Sequence, residues 1–185
     1  MNQNLQKYTI TILIAFWIGI SNATPNEVVI IRHGEKPIPG NNLSCKGLNR
    51  SLKLPSVLPE FGKFRQIFVP HLNSKNDTTL QARMFQTATP YAIKYDLNIN
   101  SNYDKSDFKG VVNAITAESG DILMVWEHQR IPALARAFGA SSAPKLWNGK
   151  DFDSVWILTF PNNNTKMAQL KISKENIQPS DICNF

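Results

Sequence analysis

Histidine titrates closest to neutral pH of all the side chains, and this chain of 185 residues contains three of them. Two stand in equivalent places. His33 follows the apolar run 27–31 (EVVII) and Arg32, and His128 follows the apolar run 122–126 (ILMVW) and Glu127. A neutral imidazole is a nucleophile, and the planar guanidinium of Arg32 beside it matches phosphate oxygens two at a time. Attack on phosphorus also needs positive donors around the phosphoryl oxygens. Arg32, a second arginine and a second histidine would supply them. The alternative is two unrelated surface histidines and an arginine in an ordinary ion pair. His71, just past the run 65–69 (RQIFV) and Pro70, is either a substrate contact or a solvated loop residue.

The elements needed to hold these residues are legible as patterns. Runs 27–31 and 122–126 are continuous and β-branched or aliphatic, which predicts strands buried on both faces of a sheet flanked by helices. In open α/β sheets ligands bind beyond the carboxyl ends of the strands, and His33 and His128 both lie there. Ser44 is a plausible N-cap for a helix over 45–54, with Pro55 limiting its extent. Residues 65–69 predict a second strand, and 73–78 a polar turn. A helix around 80–95 carries Leu80, Met84, Thr87 and Tyr91 at helical spacing, with a kink at Pro90. Residues 98–106 read as polar loop, 107–117 as a helix, and 131–138 as a helix that starts on Pro132 and stops at Gly139. Runs 154–160 (SVWILTF) and 166–172 (KMAQLKI) predict a hairpin. The whole is one α/β domain.

Composition sets the limits. With 42% hydrophobic residues there is enough apolar material for one core, and two cysteines and nine glycines exclude disulfide-scaffold and collagen-like classes. A net charge of +6 favours anionic partners. Residues 1–23 have the three-part layout of a secretory signal peptide: a polar start with Lys7, an uncharged apolar run over 8–20, and small residues at Ser21 and Ala23. That predicts cleavage after Ala23, a mature domain over 24–185, export to the periplasm or medium, and no stable membrane anchor after cleavage. In an oxidising compartment Cys45 and Cys183 either pair or remain free thiols. No zinc-type spacing is present.

Residues 28–37, V-V-I-I-R-H-G-E-K-P, resemble the signature of the histidine phosphatase superfamily, which has the phosphoglycerate mutase-like fold. Further segments agree in order. Residues 43–50 (LSCKGLNR) resemble the family's L-S-x-x-G-x-x-R helix start, and 66–70 its second strand. Residues 81–88 (QARMFQTA) resemble the segment that supplies a second arginine, and 121–128 (DILMVWEH) the strand ending in a second histidine. The resemblance implies a three-layer α/β sandwich with a mostly parallel central sheet and a C-terminal β-hairpin. It implies a metal-independent phosphomonoesterase with His33 as the nucleophile that forms a phosphohistidine. Arg32, Arg83 and His128 would bind the phosphoryl oxygens, with no cofactor and no metal. Gly34 is expected to let the backbone approach the phosphate.

The proton donor departs from the better-known branches of that family: Gln129 follows His128. The candidates are Glu127, Asp104 or Asp107, or no dedicated acid, with Glu127 favoured and Trp126 expected to desolvate it. Glu35 is expected to be structural, tied to an Arg or Lys. The partner is a small phosphorylated substrate rather than nucleic acid, for which no aromatic-rich basic motif exists. The competing function is a catalytically weak module on the same fold that binds phosphate esters or signals. Natural substrate and oligomeric state are not legible in the sequence.

Overall fold

The computed structural model describes residues 24–75 and 78–183. The segment expected to be a signal peptide, 1–23, lies outside the described residues. The first strand, β1 (Pro25–Arg32), runs through a loop into helix α1 (Cys45–Val57), a 3-10 turn (Leu58–Phe61) and β2 (Phe64–Pro70). A small hairpin, β3 (Asn73–Lys75) and β4 (Thr78–Leu80), precedes α2 (Ala82–Tyr95), β5 (Ile99–Tyr103), α3 (Phe108–Thr116), β6 (Gly120–Trp126) and α4 (Ile131–Ala137). The chain closes with β7 (Ser154–Thr159), a 3-10 turn (Pro161–Asn163) and β8 (Gln169–Lys174).

Six strands form one sheet in the order β5-β2-β6-β1-β7-β8. β5, β2, β6 and β1 are parallel, and β7 and β8 add antiparallel at one side. Val28, Ile30, Met124 and Trp126 face the layer of α3 and α4, packing with Ile115, Leu134 and Phe138. Val29, Ile31, Leu123 and Val125 face the layer of α1 and α2, with Leu54, Leu58, Met84 and Tyr91. This is the expected three-layer α/β sandwich ending in a β-hairpin. Full burial of each such side chain contributes roughly 1.5–3 kcal/mol, so β1 and β6 are anchored at the centre of the molecule.

Three local expectations change. Residues 99–103 form β5 rather than loop, because an edge strand is half exposed and its polar sequence INSNY hides the pattern. Residues 73–80 contain the β3–β4 hairpin. Helix α1 continues through Pro55 to Val57, and burial of Leu54, Pro55 and Leu58 offsets the hydrogen bond that proline does not make. The Ser44 cap forms as expected, its Oγ accepting from Gly47 N at 3.2 Å.

After β8 the chain runs back across α1 as a strap. Asn49 Nδ2 donates to Ser180 O and Ile182 O at 2.8 Å each, and Lys53 Nζ donates to Gln178 O at 3.1 Å. A disulfide joins Cys45 to Cys183, with Cα atoms 5.0 Å apart and a sequence separation of 138. Among the described residues no helix is long and apolar enough to cross a membrane.

Candidate active site

Parallel pairing of β1 with β6 puts Arg32 opposite Trp126, so the next residues, His33 and Glu127, leave the sheet side by side. His33 N donates to Trp126 O at 3.2 Å, which extends the ladder one residue past the strand. His33 and His128 therefore emerge on one sheet edge, as their positions after two apolar strands predict.

His33 is 2% exposed. Its Nδ1 lies 2.7 Å from Gly34 O, which can only accept, so Nδ1 carries the proton and Nε2 keeps its lone pair. Burial pushes the imidazole down to about 3, with Arg83, Arg32 and His128 adding in the same direction and the Gly34 bond opposing. His33 is thus a neutral imidazole with a free Nε2 lone pair beside three positive or potentially positive groups.

Arg32 reaches this position as the last residue of a buried strand. Its Nη1 donates to Gly149 O at 2.8 Å and Asp151 O at 2.9 Å, and its guanidinium carbon lies 3.6 Å from the centre of the Phe152 ring. Burial lowers it to about 10, against Asp151, Glu35 and Glu127, so it remains charged at neutral pH. Arg83 sits on the first turn of α2, where Gln81 enters in the left-handed region with φ of 63°. Its Nη1 makes long bonds to Gly40 O and Asn41 O at 3.3 and 3.2 Å. His128 is held below its ordinary value by burial, then by Arg32 and Lys36, with Glu127 opposing. Arg32 Nε, Arg83 Nε and His128 Nδ1 are all buried polar atoms without a hydrogen-bond partner. Three buried donors or acceptors left open around one nucleophile suit a tetrahedral anion.

Glu127 is also at this edge, and its charge acts on Arg32, Arg83 and His128. Its surroundings differ from the expected apolar wall. Trp126 packs into the α3 and α4 side of the core, and its Nε1 donates to Lys105 O at 3.1 Å. The ammonium of Lys105 then meets Glu127 Oε2 at 3.1 Å. The other carboxyls are committed elsewhere: Asp107 Oδ1 caps α3 by accepting from Gly110 N, and Asp104 Oδ1 accepts from Ser106 N. Among the described residues no three His, Cys, Asp or Glu side chains gather as a metal-binding group.

Glu35 pairs with Arg50, as expected, the two meeting at 2.9 Å. Gly34 also has a packing role. A Cβ on Gly34 would lie 2.8 Å from Gly47 O, and one on Gly47 would overlap Glu35 O. The two glycines let α1 press its first turn onto the loop that carries His33. His71 is exposed at the end of β2, its N–H donating to Tyr103 O at 2.7 Å.

Two contributors escape the sequence patterns. Thr87 occupies a core-facing position of α2, yet its Oγ1 accepts from Gly34 N at 2.9 Å and donates to Arg83 O at 2.7 Å. It ties the nucleophile loop to the helix of the second arginine. The loop carrying Gly149, Asp151 and Phe152 grips Arg32 and has no periodicity to find it by. The W-N-G-K-D-F-D run marks only a turn.

No family model matches the sequence, and no curated protein matches it. Solved structures do share its fold. A phosphoglycerate mutase from Bacillus anthracis superposes with a TM-score of 0.56 at 11% identity, over 78% of this chain and 91% of that one. A mycobacterial glucosyl-3-phosphoglycerate phosphatase gives 0.53 at 10%, over 80% and 97%. The protein histidine phosphatase SixA in complex with tungstate gives 0.53 at 13%, over 80% and 97%. The chain has the phosphoglycerate mutase-like fold.

Proposed function

We propose that this protein is a member of the histidine phosphatase superfamily and hydrolyses small phosphate esters through a phosphohistidine on His33. The observation that carries the reading is His33 itself: buried, neutral, its Nδ1–H bound to Gly34 O, with Arg32 Nε, Arg83 Nε and His128 Nδ1 open around it. In the first step the Nε2 lone pair forms a bond to phosphorus and the ester P–O bond breaks. The imidazole becomes cationic, and its Nδ1–H bond to Gly34 O stabilises that charge. Arg32, Arg83 and His128 hold the phosphoryl oxygens as charge builds on them. Glu127 protonates the leaving alkoxide. In the second step Glu127 takes a proton from water, whose oxygen attacks phosphorus; the N–P bond breaks and His33 returns to the neutral form. No metal takes part.

The reading extends to location. Residues 1–23 act as a cleaved signal, the domain over 24–185 is exported to the periplasm or medium, and the Cys45–Cys183 disulfide supports an oxidising compartment. N-terminal sequencing of the mature protein checks this, with Thr24 expected first.

The function is tested by hydrolysis of p-nitrophenyl phosphate from acidic to neutral pH, with and without chelator. Turnover should persist in chelator and fall by at least about 10³-fold in His33→Ala. Acid-quenched labelling should trap phosphate on the wild-type chain only. Full turnover by His33→Ala would rule the proposal out. Tight binding of phosphate esters without turnover would favour the binding module, a reading to which the Lys105 partner of Glu127 lends some support.

A further inference from the structure

Beside the phosphoryl-binding cluster lies a cleft of about 690 Å³. It shares Arg32 and Gly149 with the cluster, and a Cβ on Gly149 would sit 3.8 Å from His128 Nε2, so the two spaces adjoin. One wall is the loop 149–153 and the other is the strap at Ile177, Gln178 and Pro179. Phe152, Ile177 and Pro179 make part of the lining apolar.

The charges in this cleft do not cancel evenly. Arg50 is taken up by Glu35 at 2.9 Å and Glu175 at 2.7 Å, with Asp153 at 3.9 Å. Asp151 accepts from Ser154 Oγ and from the backbone N–H groups of Asp153 and Ser154. Asp153 Oδ1 accepts from Ile177 N. Lys46 pairs with Asp181 at 3.5 Å. The acidic side chains of the lining are thus committed, while Lys36 and Lys150 line the cleft exposed and make no ion pair among the described residues. The charge of Lys36 also acts on His128.

We propose that this cleft receives the alcohol portion of the substrate and selects phosphate esters whose alcohol carries a second anionic group, which Lys36 and Lys150 bind. The inference rests on the phosphatase reading and deepens it: the scissile phosphate sits among Arg32, Arg83 and His128, a short carbon frame lies along Phe152 and Pro179, and the second anion meets the two ammonium groups. Both lysines are exposed, so the pair contributes through solvent-screened attraction.

The test uses non-hydrolysable ligands, so that binding is read independently of turnover. Calorimetric titration of the full disulfide-bonded chain compares alkylphosphonates with alkane bisphosphonates of the same chain lengths. At one favoured length the bisphosphonate should bind about tenfold tighter than its monophosphonate, the scale of one added charge-assisted contact. Lys36→Met/Lys150→Met should lose that gain while its affinity for the monophosphonate stays within about twofold. Equal affinities at every length would overturn the proposal, as would a gain that survives in the double variant. If p-nitrophenyl phosphate is turned over and the bisphosphonates show no gain, only the selectivity is wrong. If neither ligand class binds, the phosphoryl site itself is wrong, and the subsite with it.

Discussion

At the scale of the residue, the defining feature is an imidazole held neutral by burial among cations. Because burial pushes His33 down to about 3, the neutral nucleophile survives into acid. The acid limb of kcat/KM, corrected for substrate ionisation, should therefore lie below about pH 5 rather than near the ordinary histidine value of about 6.5. The same shift carries a stability consequence with a definite sign. In the unfolded chain His33 takes up its proton below about pH 6.5, whereas the folded chain resists it until about 3. Stability is full above that unfolded value and is lost as pH falls. Urea unfolding should show a smaller loss between neutral and acidic pH for His33→Asn than for wild type. Glu127 is tested by leaving group. Glu127→Gln should slow alkyl phosphates about 10²-fold or more and p-nitrophenyl phosphate far less, since a poor leaving group needs the proton. Equal losses on both would remove Glu127 from the role.

At the scale of elements, the site is an assembly of strand ends and one helix turn. β1 and β6 deliver His33 and His128 because they are parallel neighbours; α2 delivers Arg83. What fastens the helix to the strand end is Thr87, wholly buried, which bridges Gly34 N and Arg83 O. Thr87→Val keeps the shape and leaves the Gly34 N–H without a partner, which should cost about 1–3 kcal/mol in urea unfolding. The Gly34 carbonyl orients His33, so kcat should fall more than KM rises. Thr87→Ser should restore both stability and turnover. A purely packing role for Thr87 predicts the reverse: Val tolerated and Ser damaging.

At the scale of the whole molecule, the strap decides how the last residues relate to the first helix. It is held by the Cys45–Cys183 disulfide, by Asn49 and Lys53 bonds to its backbone, and by Arg50, which grips Glu35 from the nucleophile loop and Glu175 from the start of the strap. Burial pushes the Glu175 carboxyl up to about 7 even against the pull of Arg50. Cross-linking across so long a stretch constrains the unfolded chain, so Cys45→Ser/Cys183→Ser should lose about 2–5 kcal/mol, read from urea midpoints. Turnover of p-nitrophenyl phosphate by the folded fraction should be nearly unchanged, because His33, Arg83 and His128 are carried by β1, α2 and β6. A collapse of turnover in the folded variant would mean that the strap supports the phosphoryl site itself.

The apolar runs at 28–31 and 122–126 determined by themselves that two central strands exist and that Arg32, His33 and His128 stand at their ends. Burial on both faces leaves a short continuous apolar run, and its β-branched content and flanking turn residues mark it as a strand. Net charge indicated only the sign of the partner. The edge strand β5 was hidden, since a half-exposed strand needs no apolar pattern, and so was the continuation of α1 past Pro55. Only tertiary structure decided what lies across from what. It paired Cys45 with Cys183, set Lys105 rather than Trp126 against Glu127, closed the 149–152 loop on Arg32, and turned Gly34 toward Gly47. Each of these joins residues far apart in sequence through short-range contact, which local periodicity does not encode.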